Sequence, residues 1–335
     1  MPHNIEANFL PTHRRPARVI TSKNNPHLML EQYKGCLLGA ALGDALGMPN
    51  ETAPPRLHAP LRMFRKAYKG HPNDRLAPGQ FTDDTQMMMI VGRLIADRQY
   101  SEDAYAAALG DTYNAGRLRF PDSAIHAACE RLKNGSWKEA AVNSSTAGCV
   151  PLAVPFALAF TDLIECSERL VVACSVTHTN PGALAGAVTV ATLIRTTLAG
   201  DRDPLARAAA AALREDELLG VRVREAIRLA DESGISIQGA CERIGSDSSV
   251  YQTVPLAIFL SRRIEDPDEL FAIASQAGGN TDTIAFICGA YIGAKLGKGG
   301  LPHDLLEHLE SRDVIEQLGI DLLRRTGHPI PGGAE

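Results

Sequence analysis

Two short polar clusters in this chain have the composition of a divalent-cation site. The first is Phe81-Thr82-Asp83-Asp84-Thr85-Gln86, running into apolar Met87 to Val91. The second is Gly278-Gly279-Asn280-Thr281-Asp282-Thr283, running into Ile284-Ala285-Phe286-Ile287. Hydroxyl, amide and carboxylate oxygens are hard donors of the kind Mg²⁺ and Mn²⁺ prefer. Either cluster alone is also explained by helix capping: Thr and Asp satisfy free N–H groups at a helix start. A carboxylate there gains roughly 0.3–1 kcal/mol from the helix dipole. Two adjacent acids at one start and N-T-D-T at the other exceed what capping needs. Together, each leading into an apolar helix, they favour a shared metal site.

A third stretch, Gly43-Asp44-Ala45-Leu46-Gly47-Met48-Pro49-Asn50-Glu51, adds two more acids. Asp44 lies inside a glycine-rich helical segment, where a buried acid is expected to hydrogen-bond a loop or orient a ligand. Glu51 follows Gly47 and Pro49, beyond the expected helix end. On such a loop a carboxylate is free to serve as general acid or base, although taken alone it is more often a solvated surface group.

The elements that must position these residues are helical. Apolar periodicity and loop punctuation predict helices over 29–47, 83–98, 101–115, 122–133, 149–163, 166–176 and 181–199. Further helices are expected over 202–213, 217–232, 251–261, 267–276, 282–296 and 303–323. No alternating runs support an all-β fold, and no fixed-length repeat supports a solenoid. Gly35, Gly39, Gly43 and Gly47 recur every fourth residue, as do Gly289, Gly293 and Gly297. That spacing puts each set on one helical face. Each glycine costs about 1 kcal/mol relative to Ala, so a close backbone approach is the expected compensation. If the two ladders pack on each other, the loops beside them are brought together.

Composition narrows the function classes. With 335 residues, 45% apolar, the chain can bury one large core. The net charge of −5 argues against a general nucleic-acid or anionic-membrane surface. Seven scattered cysteines without a C-x-x-C pair fit reduced thiols better than a disulfide or zinc framework. The most apolar windows, 147–160 and 183–199, are interrupted by prolines or Arg195, so no membrane span is expected and the location is expected to be cytoplasmic. Residues 1–28 form an expected basic extension: Arg14, Arg15, Arg18 and Lys23 against Glu6 leave +3. The helical domain is expected over 29–326, followed by a tail over 327–335.

In this order, G-x-x-x-G-D-A-x-G-x-x-x-E ending at Glu51, F-T-D-D-T, T-H-x-x-P at Thr177 to Pro181 and G-G-x-T-D-T resemble the ADP-ribosylglycohydrolase family. The match runs from about Tyr33 to Gly297. The resemblance implies a compact orthogonal all-α domain with a metal site, two Mg²⁺ or Mn²⁺ ions, in a central cleft. It assigns Thr82, Asp83, Asp84, Asn280, Asp282 and Thr283 to metal-ligand positions and Glu51 to the family's mobile-loop glutamate. Asp83 then has a catalytic role as well. His178 matches a histidine lining the ADP-ribose cleft, and Asp122 in Pro121-Asp122-Ser123 matches an aspartate near the distal ribose. Ser144, Ser145 and Gly148, in Ser144-Ser145-Thr146-Ala147-Gly148-Cys149, stand where the family has its phosphate loop, but Val150-Pro151 replaces the usual M-R. The family usually has Asp at Asn280. Asn keeps an oxygen but removes a charge, so one ion is expected to bind more weakly or not at all.

The expected activity is metal-dependent hydrolysis of the bond joining ADP-ribose to a protein or small-molecule acceptor, arginine foremost, with nucleic acid only as a modified substrate. Competing readings are a structural, crystallin-like relative with a weakened site, an immunity protein blocking a partner ADP-ribosyltransferase, and a phosphoesterase.

Overall fold

A computed structural model describes residues 25–57 and 62–331. Its chain order begins with α1 (Pro26–Gly47), α2 (Asp83–Ala96), α3 (Glu102–Asn114), α4 (Ser123–Leu132), α5 (Trp137–Ala140) and α6 (Ala153–Ala159). Then follow α7 (Leu163–Cys174), α8 (Pro181–Leu198), α9 (Pro204–Glu215), α10 (Glu217–Asp231) and α11 (Ile237–Ile244). The last are α12 (Val250–Arg263), α13 (Pro267–Ala274), α14 (Thr281–Leu296), α15 (His303–Leu306) and α16 (Arg312–Arg325). Among the described residues β-structure is confined to two isolated bridges, Val142 with His178 and Thr146 with Ser249. The all-α expectation holds.

Helices α1 and α14 form the centre. Nearly every residue from Tyr33 to Met48 and from Thr281 to Ala294 is buried, as expected of helices surrounded by others. The glycine ladders meet. A Cβ on Gly39 would overlap the Gly289 carbonyl, one on Gly35 would lie 2.5 Å from the Gly293 oxygen, and one on Gly43 would strike the Ala285 carbonyl. Gly47 likewise sits against the Thr281 carbonyl. Numbers rise on one helix as they fall on the other, so the pair is antiparallel. The C-terminal end of α1 therefore lies beside the N-terminal end of α14. Gly297 instead closes α14 with φ +75°, a conformation glycine adopts without strain.

Several boundaries differ from expectation for identifiable reasons. Asn25 caps α1 through its side chain and Pro26 opens it, so helix begins inside the segment read as extension. The expected 149–163 helix is a short 3₁₀ turn plus α6, closed at Phe160. The expected 303–323 helix is split by Ser311, whose φ is +54°. Helices α5 and α11 went unread. In α11, Ile237, Ala240, Cys241 and Ile244 do carry the helical period, capped by Ser236, but over only eight residues. Ile330 packs on the core, so the chain stays engaged past 327. The expected arm falls mostly on residues 1–24, outside the described residues. All seven cysteines are buried free thiols. Helix α8 is the one described helix long and apolar enough to cross a membrane, and 83% of it is buried within the fold.

Gly39→Ala gains helix propensity of about 1 kcal/mol, yet the added carbon has only backbone to displace. We expect a net loss of about 1–3 kcal/mol in urea unfolding. Gly110→Ala in α3, where a Cβ meets nothing within 4 Å, is the control and should be neutral or stabilising. Equal effects of the two substitutions would contradict the backbone-contact account.

Candidate active site

Because α1 and α14 are antiparallel, the loop after α1 and the loop before α14 are held together. Thr52 N donates to Gly279 O at 2.7 Å, Gly279 N to Ala53 O at 3.0 Å, and Thr281 Oγ1 to Gly47 O at 2.9 Å. Gly278 and Gly279 adopt φ of +90° and +64°, and Gly279 passes so close to the Ser246 carbonyl that a side chain would collide with it. These links place Glu51 next to Asp282.

Asp44 brings in the second cluster. It is fully buried and accepts from Thr82 N (3.0 Å), Thr82 Oγ1 (2.9 Å), Thr85 N (3.0 Å) and Thr85 Oγ1 (2.6 Å). The start of α2 is thus capped from α1, and its own N-cap residue, Thr82, makes no side-chain cap bond. Asn280 makes none at the start of α14 either. Asp83 and Asp84 are consequently not used as the cap of α2, while Asp282 Oδ1 accepts from Thr283 N at 2.8 Å. Asp83 N donates to Arg119 O at 2.9 Å, and Arg119 is fixed by Glu310 at 2.6 Å and by Phe81 O at 2.8 Å. This anchors the segment that carries Phe120 and Asp122.

One small cavity of about 20 Å³ collects the result. Its lining contains Glu51, Asp83, Asp84, Asp122 and Asp282, with Asn280, Thr283, Gly148, Phe120 and Ser248, and no Lys or Arg. Gly148 belongs there for a steric reason: a Cβ would collide with the Asp122 carboxylate. Asn280 donates its amide to Thr253 Oγ1 at 3.1 Å. Thr82 lies behind the lining with its hydroxyl hydrogen committed to Asp44. Ser144 and Ser145 are also absent from the lining. Ser144 Oγ pairs with Thr146 Oγ1 at 3.2 Å, and Ser145 O accepts from Val250 N at 2.8 Å. His178 is buried behind the wall, bonded to Thr146 Oγ1 and Thr177 Oγ1, each at 2.9 Å.

Sequence reasoning missed His71 and Asn73. His71 Nε2 bonds Glu51 O at 3.0 Å, and Asn73 Nδ2 donates to Glu51 Oε2 at 3.5 Å. They sit in a Gly- and Pro-containing loop without periodicity, so only the His-Pro-Asn-Asp polar cluster hinted at a role. Phe120 was also missed; its φ of +51° is rare for a non-glycine residue.

The electrostatics follow from crowding acids away from water. Burial, then Asp282 and Asp83, hold Glu51 well above the usual carboxylate range. Burial and Asp84 do the same to Asp83, and burial and Asp282 to Asp84. Asp282 is pushed up to about 7 by burial and the charge of Asp44. Asp122 is the exception: burial opposes its ionisation, but His178, the Thr146 hydroxyl and Ile125 N–H hold it low. Burial likewise opposes the His178 imidazolium, yet its contacts with Cys149 and Asp122 raise it above the ordinary imidazole range. Cys149 is itself kept protonated by its Cys174 contact and by burial. The ionic partner of His178 is therefore Asp122, whose Oδ2 lies 3.7 Å from Nε2. Asp84 Oδ2 and Asp122 Oδ2 are both buried without a hydrogen-bond partner among the described residues. The same residues contain no group of three His, Cys, Asp or Glu drawn tightly enough together to hold a metal ion as they stand.

A family model for ADP-ribosylglycohydrolases matches residues 25–331. The chain belongs to the ADP-ribosylglycohydrolase family. This ADP-ribosylglycohydrolase-family chain is 30% identical to an uncharacterized protein of Archaeoglobus fulgidus, over 88% of this chain and 96% of that protein. It is 26% identical to ADP-ribosylhydrolase ARH3 of Danio rerio (90% and 91% covered). Identity to ADP-ribosylarginine hydrolase Tri1 of Pseudomonas putida is 25% (90% and 80% covered). The solved structure of an ADP-ribosylglycohydrolase-related protein complex shares the fold, with TM-score 0.71 at 23% identity, over 90% of this chain and 99% of that one. Family membership supports a hydrolase.

The Asp122–His178 pair has a pH signature. His178 has a folded value above its ordinary 6.5, so its stabilisation is complete below about pH 6.5 and is lost as pH rises through that raised value. Asp122, held below its ordinary 3.8, contributes above that value and loses its contribution as pH falls. The His178 ring proton shift should stay flat from about pH 6 to 8.5 and begin to titrate there in Asp122→Asn. A wild-type titration centred near 6.5 would show that the pair is not ionic.

Proposed function

We propose that this protein hydrolyses the glycosidic bond between ADP-ribose and an acceptor, with Mg²⁺ or Mn²⁺ held at the carboxylate cavity. One observation carries the reading: five acids line one small cavity with no Lys or Arg in its lining, His178 offsets only Asp122, and Asp84 Oδ2 is buried with no hydrogen-bond partner among the described residues. A charge-poor apolar interior would not tolerate that set unneutralised. The donors present fit hard divalent ions, with Asp83, Asp84, Asp282 and Thr283 as the holding set and Asn280 supplying a neutral oxygen. Thr82 joins only through oxygen lone pairs, because its hydrogen serves Asp44. The fewer charges on the Asn280 side make the second ion the weaker one.

Ions held by these residues would supply Lewis-acid chemistry toward ribose hydroxyls and a water. The remaining work falls to the chain. Glu51, whose carboxyl is held above the usual range at the cavity edge by burial and its acidic neighbours, is placed to move a proton to or from the reacting oxygen or nitrogen. His71, Asn73 and the 278–280 loop fix its backbone and side chain. Asp122, held ionised by His178, stabilises positive charge developing at the ribose carbon. The acids as a group favour an oxocarbenium-like state over the neutral substrate. Arginine is the proposed acceptor, in keeping with Tri1, whose name records that acceptor.

Incubation with Mg²⁺ and ADP-ribosylated arginine, serine and nucleic-acid substrates should release ADP-ribose, fastest from arginine. Glu51→Gln should lower kcat by about 10²–10⁴ while leaving the Mg²⁺-induced rise in Tm. Asp84→Ala should lose both. Release of phosphate instead of ADP-ribose would establish a phosphoesterase, and wild-type turnover by Asp84→Ala would remove the metal assignment.

A further inference from the structure

The connection between α1 and α2 has a charge opposite to that of the molecule. Arg56, Arg62, Arg65, Lys66, Lys69 and Arg75 against Asp74 give residues 52–80 a formal charge of +5. The whole chain carries −5, so everything outside this connection sums to −10. Of the six cations all but Arg65 are fully exposed. None has a carboxylate within ion-pair distance among the described residues, whereas surface arginines elsewhere, such as Arg93, Arg169 and Arg228, are each paired with one. The one acid of the stretch serves its own loop: Asp74 Oδ2 accepts from Gly70 N at 2.9 Å.

This charge stands at the rim of the carboxylate cavity. Arg56 N donates to Gln276 O at 2.9 Å, and a Cβ on Gly278 would strike Pro55. Met63 and Arg65 share a crevice with Asn50, Ser275 and Gln276. His71 Nε2 meets Glu51 O at 3.0 Å, and its ring lies 5.9 Å from that of Phe120 in the cavity lining. Tyr68 packs edge-on to His71 yet is 58% exposed, and Met63 is 60% exposed. Unpaired cations beside two large apolar side chains in water suit a partner that is acidic and partly apolar. A nucleic acid fits less well, because a polyanion longer than the patch would run onto a surface of opposite balance.

We propose that residues 62–75, with Arg56, dock an acidic segment of the ADP-ribosylated protein substrate and present its modified arginine to the cavity. The identity of the acceptor rests on the hydrolase reading, whereas docking is read by binding without turnover. Fluorescence anisotropy with a labelled, unmodified peptide, one arginine flanked by aspartate, glutamate and leucine, should show saturable binding to the full-length protein. Raising salt from about 0.05 to about 0.3 M should weaken it about tenfold, since exposed charges are screened. Lys66→Glu combined with Lys69→Glu should weaken it by about tenfold or more, while Lys66→Arg with Lys69→Arg should keep it. The preference in kcat/KM for the modified acidic peptide over free ADP-ribosyl-arginine should fall by a similar factor in the glutamate variant. Peptide binding without any ADP-ribose release would keep the docking surface and remove only the hydrolase reading. Absence of peptide binding, binding indifferent to the glutamate variant, or tighter binding of an oligothymidylate of equal charge overturns the proposal.

Discussion

Four successive turns of α1 rest on α14 with no side chain between the two backbones, and this contact fixes the register of the molecule. Gly35, Gly39, Gly43 and Gly47 each face a backbone carbonyl of the partner helix. Every such glycine sacrifices about 1 kcal/mol of helix propensity, which the close approach offsets through dense packing. The contact tolerates no intermediate register. Sliding one helix by a turn moves it about 5.4 Å, enough to carry Glu51 away from Asp282. A structural feature with no chemistry of its own thereby sets the geometry of the acids.

The assembled cavity is electrostatically costly. Burial and mutual repulsion raise Glu51, Asp83, Asp84 and Asp282 together, and no lining residue carries a positive charge. The fold contains the cost in two ways. Asp44 is dispersed over four hydroxyl and amide donors, and Asp122 is set against His178. The remaining acids share one lining with no Lys or Arg, a concentration of raised carboxyl groups typical of functional sites. In the proposed function the same negative field would favour both a divalent ion and a developing oxocarbenium.

Capping at the start of α2 does not use the acids that follow it. Thr82 and Thr85 give their amides and hydroxyls to Asp44, so the cap comes from another helix. Asp83 and Asp84 line the cavity, and Asn280 and Asp282 reach it from the start of α14, which has no such cap. Helix dipoles at both starts point their positive ends toward these carboxylates and soften the repulsion among them.

The sequence by itself determined the helical class, the two acidic helix starts, the ladders that join them and the loop position of Glu51. Each of these is a local pattern: a period, a spacing of four, or a run of oxygen donors before an apolar helix. It also carried the ordered motifs by which the family is recognised. Only the tertiary structure decided that Asp44 caps α2 from another helix, that Thr82, Ser144 and Ser145 stand off the cavity lining, and that His71 and Asn73 hold Glu51. The antiparallel sense of the central pair was settled there too. Those outcomes depend on where an aperiodic loop passes and which side chain reaches across it, and no local period encodes a contact between residues tens or hundreds of positions apart.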